Sequence, residues 1–375
     1  MNFVKKLIWI FTGALIFRLV LSFIVWHPDV NNHIDWGIRF WEYGPAKFFA
    51  PETNVWSYTW PNQPPGTIYT FALIRKLFEA VFSGFWWINV NIPAFPSGIV
   101  TFFETNLYPA LLKLPSILAD IGIAYILYKW TNKRLAALLW LVNPVIWYNS
   151  AVWGQTDSLV NFLALLAFYL LLKKKLIWAV LAITLSLYTK ASLLIFLPIF
   201  VMVAMRQKYK IGSYISAALW SLLAVGLLTL PFSQGNPFTW LYELYAKKIF
   251  VQQLHVITAN AFNIWSAIAG IHERPDTLPF LGLTYQYWGN ILFGIFFVPI
   301  IYSVYKKQDQ ETLVWALALT AFASWMLLTN MHERYLYPLF PYLTALFVTG
   351  SVQLLVGSGD NAVKEFPLIR RPPYA

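Results

Sequence analysis

Five stretches of this chain, far apart in sequence, carry residue types able to do acid–base or electrostatic chemistry. The first, HPDVNNHIDWGIRFWEYG, brings Asp29, His33 and Asp35 close together. A carboxylate beside an apolar surface gains proton affinity, as a general base requires. An acid in the first turn of a helix is also favoured by the helix dipole alone, so Asp35 has a plain structural reading too. KLPSILAD carries Lys113 and Asp120 on one helix face. Asp120 sits about 10 Å deeper, where an acid needs a partner or a polar cavity; Lys113, nearer the surface, is placed to meet an anion. NPVIWYNSAVWGQTDSLVNF packs Asn149, Ser150, Trp153, Gln155 and Asp157 around one turn, and YTKAS carries Lys190 alone in another. That lysine either snorkels to the interface or holds an anion. NMHERYLYP brings His332, Glu333 and Arg334 together, and His with Arg suits a phosphate because the guanidinium offers a two-pronged fork.

Other chemistries lack their residues. MHER is not HExxH, and no second histidine follows at zinc-helix spacing. HERP at 272–275 repeats three of the letters and reads as coincidence. There is no P-loop, GxGxxG or GxSxG, and no cysteine for disulfides, thiolate ligands or thiol catalysis. What remains is carboxylates, isolated cations and aromatic loops: an inventory for a phosphate-bearing substrate positioned electrostatically, with one carboxylate as base.

The elements that must position these residues are membrane helices. The 375 residues are 59% hydrophobic and 11% charged, with mean hydropathy +0.57. A soluble domain carries roughly 25% charged residues, so the composition excludes one, and it is too apolar for disorder. Apolar runs predict ten spans, over 7–25, 107–128, 135–150, 157–172, 176–189, 192–205, 211–230, 284–305, 312–328 and 336–356. Lys5-Lys6, Lys129/Lys133/Arg134, Lys173–Lys175, Arg206/Lys208/Lys210, Lys306-Lys307 and Lys364/Arg370/Arg371 fall in alternate gaps. By the positive-inside rule that side is cytoplasmic, with both termini on it. The net charge of +11 is thus a topology signal rather than a nucleic-acid footprint. The first span reads as an uncleaved signal-anchor.

Two long segments, about 26–106 and 231–283, lie outside. In the first, an amphipathic helix is expected to start at an Asn32 cap, show Ile34, Ile38 and Trp41 on its apolar face, and end at Gly44-Pro45. WPNQPPG reads as a fixed turn of scaffolding. The external tryptophans fit an interfacial belt or a surface that stacks on sugar rings. The chain reads as one integral domain over 1–356 with a cytoplasmic tail at 357–375.

Taken in order, HIDWGIRFWEYG, PNQPPG, KLPSILAD, NPVIWYNSAVWGQTDS, YTKASLLIFLP, ANAFNIWSAIAG, LGLTYQYWG and MHERYLYP resemble the prokaryotic relatives of the GPI-anchor second mannosyltransferase, of the GT-C superfamily of integral-membrane glycosyltransferases. The resemblance implies an all-α, GT-C-like bundle of about ten transmembrane helices in the plasma membrane, with amphipathic external helices in the first long loop. It implies inverting transfer of a hexose, mannose or glucose, from a polyprenyl-phosphate donor to a hydroxyl of a glycan, lipid or protein acceptor at the outer face. It makes Asp35 the base, although many members carry nearly adjacent acids in this loop. Here Asp29 and Asp35 are six apart, which leaves both as catalytic candidates and leaves a divalent cation, Mg or Mn, open. Lys190, His332 and Arg334 become partners of the donor phosphate, with Lys113 a further cation. Asp157, Gln155, Trp153, Asn260, Asn263 and Glu333 become candidates for the sugar and acceptor pocket. The reading from another class is a transporter or lipid flippase, with Asp120 and Lys190 as pathway residues; the absence of repeat symmetry weighs against it.

Overall fold

Apolar residues and a scarcity of Gly or Pro inside the hydrophobic runs favour continuous helix, because in hydrocarbon every backbone polar group must be paired internally. The computed structural model describes residues 3–50, 60–250, 255–307 and 309–350, with side chains from residue 7 onward. It is 78% helical, and the described sheet is a single pair of two-residue strands, Pro279–Phe280 and Leu283–Thr284. The tail expected at 357–375 lies outside the described residues.

Each predicted span has a helical counterpart, the last being described only as far as residue 350, and among the described residues four helices are long and apolar enough to cross a membrane: Leu7–Ile24, Ser97–Thr131, Ile211–Thr229 and Tyr285–Lys306. A fifth is reached if Arg134–Val142 and Pro144–Trp153, bent by 56° at Asn143-Pro144, are taken as one span. The bend has a local cause: proline removes a backbone donor, and the Asn143 side chain accepts from Val145 N instead. Asp157–Leu172 and Leu176–Thr189, at 16 and 14 residues, are short for a hydrocarbon core of about 30 Å at 1.5 Å per residue.

The 35-residue helix Ser97–Thr131 is the axis of the molecule. It packs against Phe3–Ile24, Pro65–Asn91, Arg134–Val142 and Asp157–Leu172. Its Asp120, fully buried, receives Arg18 Nε at 3.2 Å, Tyr337 Oη at 2.9 Å and the Ser150 hydroxyl. Arg18 Nη2 continues to the Leu141 carbonyl at 3.0 Å. Asp120 is therefore a knot joining four segments, a role that keeps both buried charges hydrogen-bonded. Arg18 was the partner that spacing alone did not reveal.

The helix expected after the first span runs Val30–Tyr43, with Asp29 in the cap position, three residues earlier than expected. Asn32 does not cap it, because it lies inside the first turn. Its buried face is also different: His33, Trp36, Gly37 and Phe40 point inward, whereas Trp41 is 46% exposed. Gly37 decides the rotation. A Cβ there would run into the Tyr108 hydroxyl and sit 3.0 Å from the Phe71 carbonyl oxygen, so only glycine lets this helix settle on its neighbours. Beneath it, Val30, Trp36, Phe40, Phe48, Ile68, Phe71 and Phe232 form an apolar cluster separate from the main one around Trp140 and Phe168.

Candidate functional site

Where the helix ends meet, a cavity of about 820 Å³ opens, lined by Asp29, His33, Trp153, Gln155, Asp157, Lys190, Asn260, His332, Glu333 and Arg334, with further residues of these and other segments. The lining combines helix ends, such as Asp157, Gln286 and Asn290, with the short connections that carry Gln155, Lys190, Asn260 and His332.

The acid wall is built at a wide helical turn. Tyr148–Trp153 closes with i→i+5 hydrogen bonds, and Gly154 follows at φ +75°, a conformation that glycine adopts at no steric cost. The reversal sends Trp153 and Gln155 to one target: Trp153 Nε1 donates to Asp29 Oδ2 at 2.7 Å, and Gln155 Nε2 to the same oxygen at 2.9 Å. Lys113 supports this turn from behind. It is fully buried, its Nζ donates to the carbonyls of Ser22 and Val25, and its Cγ would lie 3.1 Å from a Cβ at Gly154. Lys113 thus ties down the chain leading into Asp29 and does not line the cavity.

The cationic wall combines two loops. Lys190 stands at the break between Leu176–Thr189 and the next helical turn, and its Nζ donates to Asp157 Oδ1 at 2.6 Å, with both side chains buried. That pair is close to neutral overall. Arg334 is different. Its guanidinium lies 5.3 Å from the centre of the Trp153 ring and 5.4 Å from that of Tyr335, and among the described residues it pairs with no carboxylate and its Nε has no partner. Arg334 is thus a cation of the cavity without an ion-pair partner among the described residues, and a guanidinium against two rings retains the planar fork of donors that suits an anion.

His332 is held by its backbone: its carbonyl accepts from Trp325 Nε1 at 3.0 Å, and it bridges Asn260, a residue at φ +60°. Burial, together with the neighbouring Arg334 and Lys190, lowers its proton affinity to about 4. Burial drives His33 lower still, to about 3, where its ring stacks on Phe71 at 4.1 Å. Both are neutral at pH 7, so His332 adds no charge to the cavity.

Besides Lys113, two expected site residues sit elsewhere. Asp35 is absent from the cavity lining: it is buried on the helix Val30–Tyr43, where its Oδ1 takes Arg39 Nε at 3.3 Å. Asn263 caps the helix Ile264–Ala269, accepting from Trp265 N and Ser266 N, and donates to the Trp325 carbonyl at 3.2 Å. It is scaffolding for the loop that presents His332. Conversely, Asn62 and Gln63 of PNQPPG line the cavity, as do Asp276, Gln286 and Asn290. The side-chain amides in PNQPPG, more than a turn needs, were the available signal for the first two. Among the described residues no group of three or more His, Asp or Glu side chains is placed to hold a metal ion, so these residues do not form a set for the divalent cation the resemblance leaves open.

Fold and site together define a helical protein with apolar helices of membrane-spanning length and a cavity lined by several carboxylates, an arginine without an ion-pair partner among the described residues, and several amides. No known family model matches the chain, and no match is found among curated proteins.

Proposed function

We propose that the protein is an inverting, GT-C-type glycosyltransferase that moves a hexose from a polyprenyl-phosphate donor to an acceptor hydroxyl at the outer face of the plasma membrane. In this reading all ten apolar segments form the membrane bundle, and both termini are cytoplasmic. The observation that carries it is the cavity shared by Asp29 and the unpaired Arg334, beside helices of membrane length.

The chemistry follows from the walls. The acceptor oxygen attacks the anomeric carbon, the bond from that carbon to the phosphate oxygen breaks, and the sugar inverts. Asp29 takes the hydroxyl proton; its Oδ2 is fixed by Trp153 and Gln155, which aims the carboxylate at the cavity. The released phosphate gathers negative charge, met by Arg334, by Lys190 and by a hydrogen bond from neutral His332. Asp157 sets the position of Lys190 at 2.6 Å. Asn260, Glu333 and the amides of Asn62 and Gln63 offer donors and acceptors for sugar hydroxyls. A lipid-linked donor suits the placement, because a tail can remain in the bilayer while its phosphate enters the cavity.

The test is direct. Purified protein in lipid nanodiscs, given polyprenyl-phosphate mannose or glucose and an alkyl hexoside, should form a glycoside of inverted anomeric configuration. Movement of the polyprenyl phosphate across vesicles without any glycoside formed would replace this reading with transport.

A further inference from the structure

Asp276 is 1% exposed and lines the cavity, yet its carboxylate is only half satisfied. Oδ2 accepts from Thr329 Oγ1 at 3.1 Å; Oδ1 has no hydrogen-bond partner and no basic group pairs with Asp276 among the described residues. Buried carboxylates are ordinarily paired or fully hydrogen-bonded, so an unpartnered oxygen on a residue that lines a cavity is a position for a ligand. The backbone of Asp276 is pinned as well: its N–H donates to the His255 carbonyl at 3.1 Å, and its carbonyl accepts from Gln286 N at 3.1 Å. The carboxylate is therefore held at the head of the helix Tyr285–Lys306.

That helix brings two amides to the same wall. Gln286 and Asn290 are one turn apart, both exposed and both lining the cavity. Their closeness to Thr329 depends on Gly289, where a Cβ would sit 3.0 Å from the Leu327 carbonyl oxygen and 3.2 Å from Thr329 N. Any larger residue pushes the helix off the 327–329 segment and opens the wall.

We propose that Asp276, Gln286 and Asn290 form a subsite for the adjacent hydroxyls of a neutral sugar, and, resting on the glycosyl-transfer reading, that it holds the acceptor. Sugar hydroxyls donate to a carboxylate and accept from amide N–H groups at once, which matches this set of partners. A phosphate is repelled by an acid without a cation beside it, so the donor's phosphate belongs to the Arg334 wall and not to this one.

The experiment titrates the full-length protein in nanodiscs with methyl α-mannoside and methyl α-glucoside, followed by ligand NMR, and separately with polyprenyl phosphate. Asp276→Asn keeps the size of the side chain, and Asn290→Ala alters an exposed residue, so neither threatens the fold. Hexoside affinity is expected to fall about tenfold or more in each, with polyprenyl-phosphate affinity unchanged. Undiminished hexoside binding in both variants overturns the subsite, as does a wild type that binds neither hexoside. If wild type transfers sugar and both variants keep the acceptor KM, the subsite falls and the transferase stands. If transfer is absent but both variants lose hexoside, the transferase falls and the subsite stands.

Discussion

Asp29 and Arg334 share the indole of Trp153. The carboxylate takes its Nε1–H at 2.7 Å, and the guanidinium carbon stands 5.3 Å from its ring centre. More than 300 residues of sequence separate the acid from the cation, and one side chain sets their spacing. On the proposed reaction, that spacing is the room for an anomeric carbon with an attacking oxygen on one side and a leaving phosphate on the other.

Asp29→Asn should lower the rate of transfer by about 10²–10⁴-fold while leaving donor binding intact, since the amide keeps the shape but takes no proton. Asp35→Asn should cost less than about tenfold, because Asp35 faces Arg39 instead of the cavity. Single-turnover rates of both variants decide it; the reverse ranking would return the role of base to Asp35.

Arg334→Ala should reduce turnover by about 10²–10³-fold. Arg334→Lys should recover only part of this, because an ammonium neither stacks on Trp153 and Tyr335 nor offers a planar fork. Equal activity of the lysine variant and wild type would show that a point charge is enough.

Lys190→Met leaves Asp157 buried and uncompensated, and should destabilise the protein by about 3–5 kcal/mol. Lys190→Met with Asp157→Asn should restore most of that stability while turnover stays low, because the cation is still missing. Thermal unfolding in detergent and transfer rates, read on the same samples, separate the two roles.

Stability should fall as pH drops below about 6.5. His33 and His332, held near 3 and 4 by burial, stay neutral in the folded protein while the unfolded chain takes up protons. The unfolded state binds more protons in that window, so folding is favoured fully above 6.5 and loses ground between 6.5 and about 4 for His332, and down to about 3 for His33. His33→Phe, which preserves the ring contact with Phe71, should flatten the pH profile of the melting temperature. An unchanged profile would mean His33 does not titrate in this way.

Gly154→Ala should cost about 1–2 kcal/mol from the left-handed backbone, with further crowding against Lys113 and Val30. Because the same turn carries Trp153 and Gln155, turnover should drop more than stability predicts. A variant that loses stability and keeps its rate would separate the turn from the acid.

Much of the fold was legible because it is written in local periodicity. Long apolar runs closed by Lys and Arg clusters mark helix after helix, and the boundaries 157–172 and 176–189 agree with the structure to the residue. The break at Asn143-Pro144 was hidden inside one apolar run, since hydropathy does not register a missing backbone donor. The face of the helix Val30–Tyr43 was legible in part: Ile34 and Ile38 do pack half-buried on the apolar cluster, but Trp41 is exposed, and steric access at Gly37 put His33, Trp36 and Phe40 at the centre of the contact.

By itself the sequence determined a largely helical chain with apolar segments long enough to cross a membrane, because long apolar runs without strand alternation favour helix, where backbone groups pair internally. It also marked Lys190, Asp157, Gln155, Trp153, His332 and Arg334 as polar residues in unusual places, since polar groups in apolar settings stand out locally. Tertiary structure decided which of these meet. It turned Lys113 into a prop behind Gly154, joined Asp120 to Arg18, moved the facing acid from Asp35 to Asp29, and put Asp276 on the wall. Such pairings depend on helix rotation and close approach through space, set by contacts between residues up to 300 positions apart, and no local pattern encodes them.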